Sequence, residues 1–308
     1  IRFAADTIPS MGRVSGGVDV FLVISAYFLT RKLLSRFEDS SNENHPVAQQ
    51  AGWLGRHYAG VLSRLVPSVA IVLLGVVVAS RLFARPSQYL QNLREIVASA
   101  LYYENWELIG SQLAYEAAGP DTSPLQHFWS PSVQGQFFLL WPLLGFGVFF
   151  LALRHRTSYR TVFLCVIATL TAASFGYALL LVSHDQQVAY FNSFARFWEL
   201  GAGALIAFVP TRFLARGWAK ELGVWAGIGM IVLSGFLFDG ASLFPGVQTL
   251  WPVSGTLIAL FAASRATPPG LSARVLGAPA VQYLSAISYQ LYLWHWPILV
   301  FYIQVRGW

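Results

Sequence analysis

Gly135–Leu153 reads GQFFLLWPLLGFGVFFLAL, nineteen residues without a single charge. A helix that crosses the hydrocarbon of a bilayer needs about 20 consecutive, mostly apolar residues. The stretch therefore predicts a spanning helix and, with it, a membrane fold. Seven further runs repeat the pattern: Gly17–Thr30 (short), Leu65–Ser80, Thr161–Val182, Phe194–Val209, Leu222–Phe238, Leu250–Ser264 and the long aromatic Val281–Ile303. Tyr89–Ile109 differs, because Arg94, Glu95, Glu104 and Glu107 sit among its apolar residues. That mixture predicts an interfacial or bundle-interior helix. The fold expected is all-α: a polytopic transmembrane helix bundle of about eight spans with one interfacial or interior helix.

Composition points the same way. Of the 308 residues 56% are hydrophobic and only 11% charged, against about 25% charged in soluble domains. Mean hydropathy is +0.54. A soluble enzyme, a disordered chain and a collagen-like fibre are excluded. One Cys rules out an internal disulfide and a Cys-cluster metal site. Eleven Trp and 13 Tyr suit the aromatic belts at the two membrane–water interfaces.

The net charge of +6 is read as positive-inside loops rather than as a nucleic-acid footprint. With Gly17–Thr30 running inward and Tyr89–Ile109 not crossing, thirteen of the 20 Lys and Arg fall in inside connections and seven outside. Phe37–Gln50 is polar and reads as a flexible cytoplasmic loop; Gly119–Ser123 reads as an external turn. Ile1 is not Met and Trp308 follows an apolar stretch, so the chain is expected to be a piece of a longer protein.

Ionisable groups at membrane depth are costly and often functional. Asp19, His127, Ser130, Gln134, Gln136, Arg196, Glu199 and His295 are all expected toward the outer side. Arg196 and Glu199, spaced i,i+3, can pair on one helix face. A His could act as base, a carboxylate could orient it, and an Arg could stabilise an oxyanion. Plainer roles compete at each position. Arg196–Glu199 could be a structural ion pair, and Asp19 a helix cap. His295, between Trp294 and Trp296, could be an interface residue, and the two Gln could bridge helices. Cys165 lies in an apolar run and is expected to be inert. His45, His57, His155 and His184 are assigned to loops. On the inner side Arg56 and Arg64 suit a lipid headgroup or the phosphates of a nucleotide-like donor, or only positive-inside bias.

Four motifs, in order, carry a resemblance. They are Gly16–Thr30 (GGVDVFLVISAYFLT), Ser123–Phe138 (SPLQHFWSPSVQGQFF), Phe194–Gly203 (FARFWELGAG) and Ile287–Pro297 (ISYQLYLWHWP). Together they resemble acyltransferase family 3, integral-membrane O-acyltransferases acting on carbohydrates, and look most like its actinobacterial branch. The resemblance covers the chain from about Gly16 to its end, as a single acyltransferase-like domain over 1–308. It implies transfer of an acyl group, acetyl first among them, from cytoplasmic acyl-CoA to a hydroxyl of a cell-envelope or exported glycan, in the bacterial plasma membrane. Membrane lipid and the glycan are then the partners, with an SGNH-type domain in some members; no metal and no nucleic acid are called for.

Carried onto this chain, the catalytic candidates are His127, His295, Arg196, Glu199 and Asp19. Ser130, Gln134, Gln136 and Tyr289 are candidates for substrate binding, and Arg64 and Arg56 for the donor. The chain also departs from the family pattern. The family's base is a His on its first helix, eleven positions after an Arg, and no His precedes His45 here. Gln134 stands where many members carry Glu, and Val61 replaces the first Arg of the pair completed by Arg64. The chain alone is therefore expected to transfer acyl groups very slowly or not at all. A transporter or flippase, and an inactive relative, are the competing readings.

Overall fold

The computed structural model describes residues 16–42, 47–111, 123–210, 217–238, 243–263 and 270–306. Among these there is no strand. The helices are α1 (Gly17–Asn42), α2 (Val47–Phe83), α3 (Tyr89–Ala100), α4 (Glu104–Gly110), α5 (Trp129–His155), α6 (Tyr159–His184), α7 (Gln186–Phe191), α8 (Ser193–Ile206), α9 (Gly217–Leu237), α10 (Leu250–Ala263), α11 (Leu271–Leu276) and α12 (Pro279–Arg306). Short 3₁₀ turns at Pro86–Gln88, Gln126–Phe128 and Val247–Thr249 lead into α3, α5 and α10.

Four stretches among the described residues are long and apolar enough to cross a membrane: Ala51–Phe83, Gln126–His155, Tyr159–His184 and Gly217–Leu237. The other expected spans also lie on helices, in α1, α8, α10 and α12. Pro67, Pro142 and Pro297 sit inside helices, which packed membrane helices tolerate because neighbouring groups satisfy the freed carbonyls.

Three sequence expectations need correction. Within Phe37–Gln50 the described residues are helical rather than loop: α1 runs on to Asn42 and α2 begins at Val47, while 43–46 lie outside the described residues. No Gly or Pro interrupts Arg31–Asn42, and the cost of its Asp, Ser and Asn residues, below about 0.7 kcal/mol each, is too small to stop a helix already under way. His57 lies within α2, stacked on Trp53 at 5.3 Å, and His155 and His184 close α5 and α6. Tyr89–Ile109 is two helices, not one; Tyr102 turns the chain between them with φ of 58°. The readings of residues 1–15, of His45 and of most of the Gly119–Ser123 turn lie outside the described residues.

The chain divides into two compact units, one of 1–44 with 145–278 and one of 45–144 with 279–308. In the first, α1 and α8 run parallel in close contact. A side-chain carbon on Gly203 would lie 2.1 Å from the carbonyl oxygen of Val23, so only glycine permits this approach. Phe37 stacks on Phe149 at 5.0 Å and meets Tyr159 edge to face at 5.4 Å, tying α1, α5 and α6 together. Such pairs contribute about 0.5–1.5 kcal/mol each beyond their burial.

In the second unit, Val69, Val72, Leu73 and Val76 present one face of α2 to Leu125, Phe128, Leu293 and Phe301. The spacing i, i+3, i+4, i+7 is that of a single helical stripe. The intervening Ile71, Leu74 and Val78 are exposed, as expected of a helix apolar on all sides in lipid. Trp294 lies over Gly75 and Phe301 beside Phe83, so α2 and α12 run in the same direction.

Candidate functional site

The polar residues singled out in the sequence fall into two clusters, one in each unit. In the first unit they converge on Arg196. Asn192 caps α8, its Oδ1 accepting from the N–H groups of Phe194 and Ala195 at 2.9 and 3.2 Å. Ser174 of α6 fixes the same turn, donating to the Phe194 carbonyl at 2.5 Å and accepting from the Trp198 N–H at 2.8 Å. This holds Arg196 and Glu199 on one face of α8.

Arg196 Nη1 lies 2.8 Å from Asp19 Oδ1 in the first turn of α1 and 3.0 Å from Glu199 Oε1. Its Nε donates to the Tyr190 carbonyl at 2.9 Å, and its guanidinium covers the Tyr190 ring at 4.6 Å. Arg196, Asp19 and Glu199 are 1%, 2% and 0% exposed, so the group is out of water altogether. Two carboxyls meet one guanidinium, giving one more acid than base. Asp19 does more than cap a helix: it binds α1 to α8.

The second unit gathers His127, Ser130, Tyr292 and His295. The turn Gln126–Phe128 is set by Ser123, whose Oγ accepts from the Leu125 N–H at 3.0 Å and whose carbonyl accepts from Trp296 Nε1 at 2.9 Å. His127 Nε2 is 3.1 Å from the Leu293 carbonyl. A carbonyl only accepts, so Nε2 carries the proton and Nδ1 of the neutral ring is a lone pair. That Nδ1 is buried without a hydrogen-bond partner.

The Tyr292 hydroxyl donates to the His127 carbonyl at 2.8 Å and meets Ser130 Oγ at 2.7 Å. Tyr292 thereby holds both the turn and the start of α5. The His295 ring stands 5.4 Å from that of His127, edge to face. His295 is exposed, with Nδ1 at 2.5 Å from the Tyr292 carbonyl of its own helix. Gln136 Nε2 donates to the Tyr102 carbonyl and to Asn105 Oδ1, both at 2.9 Å. Gln134 is buried and Tyr289 half-buried against the α2 cluster. Arg56 and Arg64 are exposed two turns apart on α2.

Glu95 and Glu104, noted in the sequence but assigned no role, prove fully buried at 1% and 0% exposure. Glu95 accepts from Ser123 Oγ and, at 3.0 Å, from Gln91 Nε2. Ser99 Oγ donates to Glu104 Oε2 at 3.3 Å, and the Glu104 N–H donates to Ser132 Oγ at 3.2 Å. Burial pushes the Glu95 carboxyl up to about 7, against the opposing pull of Ser123 and Gln91. Burial, and then the charge of Glu95, push Glu104 to about 10. The signal was present: Asn92, Glu95 and Ser99 recur at helical spacing on one buried face while Leu93, Arg94 and Val97 face outward.

The described residues thus make a helical membrane chain with two buried polar clusters, one of them holding a histidine lone pair. The chain belongs to acyltransferase family 3: the acyltransferase domain model matches residues 4–306. It is similar to O-acetyltransferase OatA of Staphylococcus aureus, in strain NCTC 8325 / PS 47 and equally in strain COL. In both it is 30% identical over 299 residues, covering 92% of this chain and 46% of that protein. The chain thus spans about half the length of the curated relatives it matches. No solved structure matches it.

Proposed function

We propose that the protein transfers an acetyl group from acetyl-CoA to a hydroxyl of a cell-envelope glycan, in the bacterial plasma membrane. The observation that carries this reading is the buried His127 imidazole, whose Nε2 is committed to the Leu293 carbonyl while Nδ1 is left as a free lone pair. Family membership and the likeness to an O-acetyltransferase support the reaction class.

The acceptor hydroxyl attacks the thioester carbonyl and its proton passes to His127 Nδ1. The C–S bond then breaks, and coenzyme A leaves as the thiol with that proton. The Leu293 carbonyl steadies the imidazolium formed in between, because it accepts from Nε2–H in either charge state. His295, exposed beside His127, is the second base candidate. Ser130, Gln134, Gln136 and Tyr289 are assigned to the acceptor. Arg196 with Asp19 and Glu199 supplies fixed charge in its own unit, and Arg64 and Arg56 meet the anionic donor.

The test is transfer from radiolabelled acetyl-CoA to cell-wall glycan by membranes containing the protein. His127→Ala is expected to lower the rate 10²–10⁴-fold, the usual contribution of a positioned base. An unchanged rate would remove His127 from the chemistry.

A further inference from the structure

The first unit holds a second polar feature at the other end of the helices that carry Arg196. A cavity of about 190 Å³ opens where α1 and α8 end their contact, lined by Tyr27, Arg31, Ile206, Val209, Pro210 and Phe261. Arg31 Nη1 donates to the Tyr27 hydroxyl at 2.8 Å, and its guanidinium lies 5.6 Å from the centre of that ring. Among the described residues no carboxylate pairs with Arg31, and its remaining N–H groups meet none.

The position of this pocket follows from the parallel packing of α1 and α8. Asp19 meets Arg196 at one end, Val23 meets Gly203 in the middle, and Tyr27 and Ile206 line the cavity at the other. Twelve residues at 1.5 Å each put Arg31 about 18 Å from Asp19 along α1. On the orientation expected from the Lys and Arg distribution, this end is the inner one.

We infer that the Tyr27–Arg31 pocket binds a phosphate group of the acyl-CoA donor's nucleotide. The inference rests on the acyltransfer reading and adds to it a donor contact on α1. The cavity is smaller than the 300–1,000 Å³ usual for a drug-sized ligand. It suits one phosphate, with the nucleoside outside, rather than a whole nucleotide. A guanidinium presents paired donors in the geometry a phosphate accepts. The phenol hydroxyl orients that fork, and Arg31 is exposed at the mouth of the pocket, where an anion from outside the protein can reach it.

The experiment is equilibrium binding of coenzyme A to the purified protein in phosphatidylcholine nanodiscs, with acetyl transfer measured on the same preparations. Arg31→Gln is expected to weaken coenzyme A binding about 10- to 100-fold, the worth of one charge-assisted contact. KM for acetyl-CoA should rise by the same factor while kcat holds. Tyr27→Phe, which keeps the ring and frees the guanidinium, should weaken binding several-fold. Arg154→Gln, at the exposed end of α5, should change nothing. Unaltered coenzyme A binding by folded Arg31→Gln overturns the pocket and leaves the acyltransfer reading standing. So does an Arg31-dependent retention of phosphatidylglycerol without any effect on coenzyme A, which would assign the phosphate to a lipid. A wild-type protein that neither binds coenzyme A nor transfers acetyl groups overturns both.

Discussion

Arg196 Nη1 stands 2.8 Å from Asp19 Oδ1, a residue 177 positions earlier in the chain. Both side chains are buried, and Glu199 shares the same nitrogen at 3.0 Å. The contact joins the first described helix to the eighth and leaves no water to compensate a missing partner. Removing one member of a buried ionic group strands the others and costs about 3–5 kcal/mol. Arg196→Ala and Asp19→Ala should each lower the unfolding midpoint of the detergent-solubilised protein by that measure. Arg196→Lys should not restore it, since an ammonium cannot serve Asp19, Glu199 and the Tyr190 carbonyl with one planar fork. Wild-type stability in Arg196→Lys would show that charge alone suffices there.

The closeness of α1 and α8 makes a second prediction. Gly203→Ala would put its new carbon 2.1 Å from the Val23 carbonyl oxygen, an atom held in a helical backbone. Overpacking of this kind costs about 1–3 kcal/mol, and backbone that cannot yield places the cost at the top of that range. Gly147→Ala on α5 meets nothing within 4 Å. It should be neutral or stabilise by up to about 1 kcal/mol through helix propensity. Thermal melts of the two variants beside the parent decide; equal melting of all three would mean that α1 and α8 are not in contact.

How much of this was legible beforehand differs between the clusters. The i,i+3 spacing of Arg196 and Glu199 marks a possible pair within one helix. Nothing local to Asp19 says that it completes the group, because that contact exists only once α1 and α8 pack. The helices themselves were plain from apolar runs. Their ends were not, since α1 leaves the apolar stretch at Thr30 and carries on as a polar helix to Asn42. Glu95 and Glu104 were visible as acids on an apolar segment. Their burial depends on Ser123 and Ser132, which come from a different stretch of chain.

Those two carboxyls set a pH dependence. Glu95 has a folded-state value of about 7, above its ordinary 4.5. Between these values the folded protein keeps a proton that the unfolded chain has lost, so stability falls as pH rises. The loss is on the order of 3 kcal/mol between pH 4.5 and 7. Glu104, raised from 4.5 to about 10, adds to this fall from pH 4.5 and continues it above pH 7. Unfolding measured from pH 4.5 to 9 should therefore show greatest stability at the acid end. Glu95→Gln should lessen the slope below pH 7 only, and Glu104→Gln should lessen it across the whole range. A parent protein that gains stability from pH 4.5 to 7 would contradict this account of both groups.

His127 can be separated into its two nitrogens. Nε2 does structural work, donating to the Leu293 carbonyl at 3.1 Å and so tying the turn before α5 to α12. Nδ1 does none, being buried without a partner. Glutamine places an amide N–H₂ where the imidazole has Nε2–H, but it offers no base of comparable strength. His127→Gln should therefore keep the bond to Leu293 and melt within about 1 kcal/mol of the parent, the net worth of an ordinary hydrogen bond. Its acetyl transfer should still fall 10²–10⁴-fold. His127→Ala loses both functions and should be less stable as well as inactive. Comparing melting with transfer rate in the two variants separates the base from the brace. If His127→Gln transfers at the parental rate, the lone pair is idle and the residue only joins two helices; the base must then be sought elsewhere, with His295→Gln as the next variant to measure.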